Sequence, residues 1–496
     1  MAHEASGNQS TTSIPVVEVT VRMYRAGLGD CFLLAFPSTD GNPRYMLIDC
    51  GVLRSTKGGA DRLRAIAQDI AETTGNWLHV LVATHEHWDH LSGFQYAQET
   101  FDQMVIDEVW MPWTEDPEDE LAGRLRQKRA TALAAVTAAA ARLGAAGRPE
   151  AEALEAVLDF YRGPGIDGRI NTTAEQWEYV QGRGDPPRYL RPGERPITLP
   201  GVDGVRFYVL GPPRDEELLS RSDPSTAESE VYEHAFALNQ ASAFYLAALA
   251  AGDQDALTPD QRELLEHSRP FDESFWIRTE DAATHEDHGL FFQKRYGFAG
   301  DDDRHGPAWR RIDHDWLAAA GQLALDLDSD TNNTCLALAI ELEASGKVLL
   351  FPADAQVGNW LSWHSVSWPG GACGEGGEAE PLTGTDLVRR TVFYKVGHHG
   401  SHNATLRDKG LELMESPDLV AAIPVDHELA ARQGKHGWSM PFPPLEERLR
   451  QKTRGRVLRA DTGVPEKPDA VPAAEWQAFL DDVEESELWI EYTERG

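Results

Sequence analysis

The sequence predicts an α/β fold built in layers, and three features point there. Between residues 16 and 113, short apolar runs alternate with amphipathic helical stretches, and the same grammar returns after residue 332. The stretch between them, 114–310, loses that grammar, so a large, mainly helical insertion separates two α/β halves. Metal-loving side chains cluster just past the ends of the apolar runs.

VVEVTVRMYRAGLGDCFLLAF (16–36) alternates, breaks at Gly27 and Gly29 and resumes, which predicts two strands joined by a tight turn. RYMLIDCG (44–51) is a third strand ending in Asp49 and Gly51. ADRLRAIAQDIAETTG (60–75) has helical spacing and a glycine stop. LHVLVAT (78–84) is a short buried strand, HLSGFQYAQETF starts a helix, and VIDEVWMPW (105–113) is another strand. In the insertion, the Ala-rich run from Glu118 is helical, and much of the rest is polar, acidic and punctuated by Pro and Gly. VRFYVLGPP (205–213) is a strand expected to return to the main sheet. NNTCLALAIELEASGKVLLFPADA holds two strands joined by a Ser-Gly turn, and TVFYKVGHHGSH is a strand ending in a histidine pair. LVAAIPVD is a further strand, PPLEERLRQKTRG a helix and RVLRAD a late strand. The expected organisation is an N-terminal half at 1–113 with a disordered leader at 1–14, the insertion at 114–310, and a C-terminal half at 311–496.

Bulk properties narrow the function. The net charge of −35 argues against coating a polyanion through total charge, although a local basic groove is compatible with it. Cys31, Cys50, Cys335 and Cys373 form no CxxC pair and no disulfide framework, as expected for thiols in a reducing cytosol. The N-terminus lacks a basic region followed by an apolar one, and no window of about 18 apolar residues occurs. These features predict a cytoplasmic protein without a membrane span.

The sharpest signal is ATHEHWDHLSG (83–93), where His85, His87, Asp89 and His90 follow a buried strand. His85 and His87 alternate along an extended loop and share a face, whereas Asp89 and His90 turn off at a helix start and face a second point. The motif therefore predicts two metal ions, zinc or manganese, of the kind that hydrolytic pairs hold about 3.5–4 Å apart. Asp354, just past KVLLFPA, is placed to bridge them. His398 and His399 follow another strand; one completes the second position, with His398 ahead of His399, and the other orients a ligand or meets substrate. Asp49 is a candidate hydrogen-bond partner behind a ligand histidine. Lys395 and His402, beside the pair, are candidates to stabilise an anionic transition state or protonate a leaving group, and Asp89 or Asp354 could accept the nucleophile's proton.

These residues resemble a known family. ATHEHWDHLSG is similar to the signature of the metallo-β-lactamase superfamily. GLGDCFLLAF, YMLIDCG, NNTCLALAIEL, LLFPADA and VGHHGSHNAT resemble the metallo-hydrolase domain of competence-type DNA-uptake (ComEC-like) proteins. The resemblance covers roughly half the chain. It implies an αββα sandwich with metals at the sheet edges. It also implies that His85 and His87 hold one metal, that Asp89, His90 and a histidine of the 398/399 pair hold the other, and that Asp354 bridges. Three departures stand out. Ala353 replaces the glycine usual before the bridging aspartate, and Met440 and Phe442 stand where relatives carry histidines. The further histidine that many members supply to the first metal has no clear counterpart; His234, His285 and His288 are the candidates, none at a strand end.

Three functions follow as expectations. The first is a binuclear phosphodiesterase or nuclease using a metal-bridging hydroxide, with basic residues in QKRA, RRTVFYK and RLRQKTRGRVLR as substrate contacts. The second is an acyl hydrolase: a lactonase, a thioesterase or a β-lactamase-like enzyme. The third is a non-catalytic, metal-stabilised interaction protein whose 114–310 segment binds a protein partner.

Overall fold

A computed structural model describes residues 17–145, 147–148, 150–163, 171–221, 277, 281–298, 320–369, 381–433 and 437–496. The leader 1–14, Cys373 and His234 lie outside the described residues. The chain divides into two compact units. One comprises Met1–Arg126, Asp159–Ser229 and Asp328–Gly496, and the other Gln127–Leu158 and Glu230–Leu327, so the 114–310 segment is shared between them. The second unit carries the helices Glu150–Leu158 and Gly289–Tyr296, and His285 and His288 belong to it.

The first unit is mixed α/β with two large sheets. Across the eight-stranded sheet run Val483–Glu485, Trp489–Arg495, Glu18–Tyr24, Phe32–Phe36, Arg44–Ile48, Trp77–Val82, Val105–Pro112 and Arg188–Leu190. Pairing is antiparallel as far as Arg44–Ile48 and parallel from there to Arg188–Leu190. The six-stranded sheet orders Val457–Arg459, Val420–Ile423, Thr391–Lys395 and Lys347–Phe351 in parallel, then Ala337–Leu342 and Val205–Gly211 antiparallel. The 205–213 run thus forms an edge strand of this second sheet. The strands at Val483–Glu485 and Trp489–Arg495 extend the first sheet at its other side; alternation in WIEYTER, which buries Ile490, Tyr492 and Glu494, is the signal for the longer one.

Alternation explains the packing. Val19, Val21 and Met23 face one side of their strand and join Phe36, Phe207, Ile340, Phe351 and Phe393 in one core shared by both sheets. Edge-to-face rings cross it: Phe32 on Phe351 at 5.8 Å and Phe36 on Phe207 at 5.4 Å. The other face of the first sheet, with Leu33, Leu47 and Leu81, is covered by Leu63, Ile66 and Ile70 of the helix Gly59–Thr74 and by Leu91 and Phe94 of the helix Trp88–Tyr96. On the second sheet, Trp360 of the helix Val357–Trp363 meets Tyr394. Among the described residues, no helix is long and apolar enough to cross a membrane, and Cys31, Cys50 and Cys335 are free, buried thiols.

Candidate metal centre

Parallel strands deliver their C-terminal ends to one edge, the place where α/β sheets assemble sites. In the first sheet, Arg44–Ile48 leads into Asp49, and its parallel neighbour Trp77–Val82 leads into His85. In the second, Lys347–Phe351 leads into Asp354, and its parallel neighbour Thr391–Lys395 leads into His398 and His399. The backbone N–H of Leu336 donates to the Thr84 carbonyl at 2.9 Å and ties the two edges together.

Close backbone packing seats the helix that carries Asp89 and His90. Asp30 N–H donates to the Asp89 carbonyl and Cys50 N–H to the His90 carbonyl, at 3.0 and 2.8 Å. Gly51 is required there, because a Cβ would lie 2.3 Å from the Asp89 carbonyl carbon.

The separate stretches converge. Asp89, His90, Asp354 and His399 place ligand atoms within 4.8 Å of one another, all buried. His90 Nε2 is 3.1 Å from Asp354 Oδ2 and 3.8 Å from Asp89 Oδ2, and His399 Nε2 is 2.9 Å from Asp89 Oδ2. Each imidazole is fixed from behind. His90 Nδ1 meets Asp49 Oδ2 at 2.7 Å, and His399 Nδ1 donates to the Pro424 carbonyl at 2.8 Å, which leaves both Nε2 atoms facing the cluster. Asp49 also accepts from the N–H and hydroxyl of Thr84.

His85 and His87 form a second focus. His85 Nε2 and His87 Nδ1 stand 3.0 Å apart. The other ring nitrogen of His87 meets the Tyr161 hydroxyl at 3.1 Å, and that hydroxyl meets Thr331 Oγ1 at 2.8 Å. Asp328 Oδ1 lies 3.8 Å from the same nitrogen.

Lys395 is buried, with its ammonium on Asp30, on Asp354 Oδ1 at 3.3 Å and on the Ala353 carbonyl at 2.9 Å. It therefore clamps the Asp354 oxygen turned away from His90. His398 donates its N–H to Asp354 Oδ1 at 3.1 Å, while its Nε2 stands 4.0 Å from Oδ2. The sequence put His398 ahead of His399, and the geometry instead groups His399 with the other three. His402 is exposed and turns its ring edge-on to Phe442. Among the described residues it forms no hydrogen bond or ion pair with the cluster.

Ala353, His398 and His399 hold φ of 52°, 45° and 53°, a left-handed backbone that costs about 1–2 kcal/mol each for residues with a Cβ. Such strain persists only where the surroundings over-determine it, and here it swings Asp354 and His399 toward the first sheet's residues.

The charges around the cluster favour a cation. Burial opposes protonation of His90, but Asp354, Asp89, Asp49 and Asp30 outweigh it and raise its pKa well above the ordinary histidine range. Burial likewise opposes His399, and its bond to Asp89 with the Asp354 and Asp30 charges raises it. Asp354, despite burial, is held well below the usual carboxylate range by His90, Lys395 and His398. By contrast, burial, then His90, keeps His85 neutral, and burial lowers His87 to about 3, so both imidazoles present lone pairs. Burial, with the Asp89 and Asp354 charges, pushes Asp328 up to about 8. Asp89 Oδ1, His90 Nε2 and Asp354 Oδ2 are buried with no hydrogen-bond partner among the described residues. Buried carboxylate and imidazole atoms gathered at one point, with Asp89 Oδ1 left without a hydrogen bond among the described residues, form a donor set that could hold a divalent cation.

Sequence reasoning missed Asp30, Tyr161, Asp328 and Thr331. Asp30 had a signal, being the sole acidic residue of GLGDCFLLAF. The other three lie in segments without strand grammar. No protein-family model matches this chain, and no curated protein does.

Proposed function

We propose that the chain is a metal-dependent hydrolase with a metallo-β-lactamase-type αββα sandwich, acting on phosphodiesters, with nucleic acid as the leading substrate class. The observation that carries metal dependence is the four-residue group Asp89, His90, Asp354 and His399, whose buried ligand atoms lie within 4.8 Å of one another. Two divalent cations, zinc or manganese, would supply a hydroxide nucleophile at neutral pH and polarise the scissile bond. His85 and His87 would hold one, and Asp89, His90 and His399 the other, with Asp354 shared. Asp49 and the Pro424 carbonyl aim the Nε2 atoms of His90 and His399, and Lys395 holds one Asp354 oxygen so that the other faces His90. We assign His402, exposed on the same turn as the histidine pair, to substrate. The phosphodiester assignment rests on the likeness of GLGDCFLLAF and VGHHGSHNAT to the DNA-uptake branch.

One observation favours the acyl-hydrolase reading. Phe160 packs 5.3 Å from the His87 ring and stacks on half-buried Trp438 at 5.4 Å, an apolar wall beside the centre. The basic stretches add little positive potential, because Arg390, Arg448 and Arg459 pair with Glu341, Glu412 and Glu446.

The deciding experiment is a hydrolysis panel on purified protein: bis(p-nitrophenyl) phosphate, single- and double-stranded DNA, RNA, a homoserine lactone and an acyl thioester. Phosphodiester cleavage that EDTA abolishes and zinc or manganese restores is expected. Opening only the lactone or thioester establishes the second reading. Inertness toward all of them, with a fold that collapses in His87→Ala and Asp354→Ala, establishes an interaction protein.

A further inference from the structure

The strands that lead into the metal centre begin at the opposite end of the first sheet, and a cavity of about 290 Å³ opens there. Part of its lining is aromatic. Trp77, the first residue of its strand, stacks on the His79 ring at 5.1 Å with the planes 11° apart. Its Nε1–H donates to Asp107 Oδ2 at 2.9 Å and fixes the indole, yet Trp77 is 49% exposed. His79 Nδ1 accepts from the Tyr45 N–H at 3.0 Å, so that ring is held as well. Val105, itself exposed, pairs in register with Trp77 and adds apolar surface beside it. Leu199 and Pro200 continue the apolar lining, and the Arg44 guanidinium ties the Pro200 carbonyl to the sheet at 3.4 Å.

The charge facing this surface is negative. Asp107 and Glu108 line the cavity, whereas the positive charge of Arg44 is taken up by Asp40 at 2.6 Å. Arg188 screens Glu108 in part, from 3.8 Å, and Asp107 gives one oxygen to the indole. The net charge of −35 draws cations toward the molecule as a whole. A tryptophan face attracts an organic cation within about 6 Å of its centroid more strongly than any other side-chain ring. A hydrated metal ion would use the carboxylates but gain nothing from Leu199, Pro200 or the indole. Ammonium groups separated by methylenes would use all of them.

We propose that this cavity is a binding site for an aliphatic polyamine, with its ammonium groups on the Trp77 face and the Asp107 and Glu108 carboxylates and its methylenes on Leu199 and Pro200. The strand Trp77–Val82, about 16 Å long, separates the site from His85, and the proposal stands independently of the hydrolase reading.

The test is calorimetric titration of the full chain with spermidine at about 0.15 M salt, where attraction beyond about 8 Å is largely screened. One saturable site is expected. Trp77→Ala should weaken it about tenfold, Trp77→Phe less, and Asp107→Asn about as much as Trp77→Ala. Asp61→Asn, on the exposed face of the helix Gly59–Thr74, should leave it unchanged and controls for the loss of one negative charge. Circular dichroism checks each fold, and Trp77→Phe with Asp107→Asn carries the test where Trp77→Ala does not fold. Absence of binding, many weak equivalent sites, or equal affinity in Asp107→Asn and Asp61→Asn overturns the proposal. So does a lysine-rich peptide that binds where spermidine does not, which would mark a protein-docking surface instead.

Discussion

His85 and His87 sit two residues from Asp89 and His90, yet the two pairs end in different surroundings. The first pair lies on an extended loop, backed by Tyr161 and by the Phe160 ring. The second pair starts a helix, locked by backbone bonds to the Asp30 and Cys50 turns and met from the second sheet by Asp354 and His399. The difference teaches that a short His/Asp motif supplies donor side chains, while the distant strands that reach it decide which of them are gathered at one point.

The largest expected effect comes from emptying the four-residue position. Metal at about 1,000 times Kd stabilises a folded protein by about 4.1 kcal/mol. EDTA treatment or His90→Ala should therefore lower the melting temperature by several degrees in differential scanning calorimetry, whereas His85→Ala should lower it by far less. Equal drops in the two variants would erase the distinction between the positions.

Next in size is the support behind His90. Asp49→Asn keeps the shape but weakens the bond to Nδ1, and loss of such a partner typically lowers metal affinity about 10–100-fold. Competition with a chromophoric chelator measures it; unchanged zinc affinity would mean that Asp49 serves only the turn. Tyr161→Phe removes the hydroxyl from His87 Nε2. It should weaken any zinc binding at His85 and His87 about tenfold and leave binding at Asp89, His90, Asp354 and His399 unchanged, as read by titration.

The gradation matches what the sequence disclosed. The strands ending at Ile48, Val82, Phe351 and Lys395 were legible because each is a short apolar run followed by a ligand-type residue. His85, His87, Asp89, His90 and Asp354 could be singled out from spacing alone. The choice between His398 and His399 could not, since both occupy left-handed backbone and only the three-dimensional turn decides which ring reaches Asp89. Lys395 read as a group for an anionic transition state, but its burial among Asp30, Asp354 and Ala353 is a long-range property that no local pattern carries. Tyr161 and Asp328 reach His87 from segments whose composition marks them as connections.

The smallest effect concerns Ala353, which holds a left-handed backbone just before Asp354. Its φ of 52° penalises a Cβ, and glycine gives back part of the relief through its greater freedom when unfolded. Ala353→Gly should thus change stability by no more than about 1 kcal/mol, toward greater stability, in urea unfolding. A clear destabilisation would show that the alanine methyl contributes packing that outweighs the strain.

The most direct test of convergence is an anomalous difference map at the zinc edge from crystals of dialysed protein. The account expects the strongest peak among Asp89, His90, Asp354 and His399, with a weaker peak or none between His85 and His87. A dominant peak at His85 and His87, or one remote from Asp354 and His399, would contradict it.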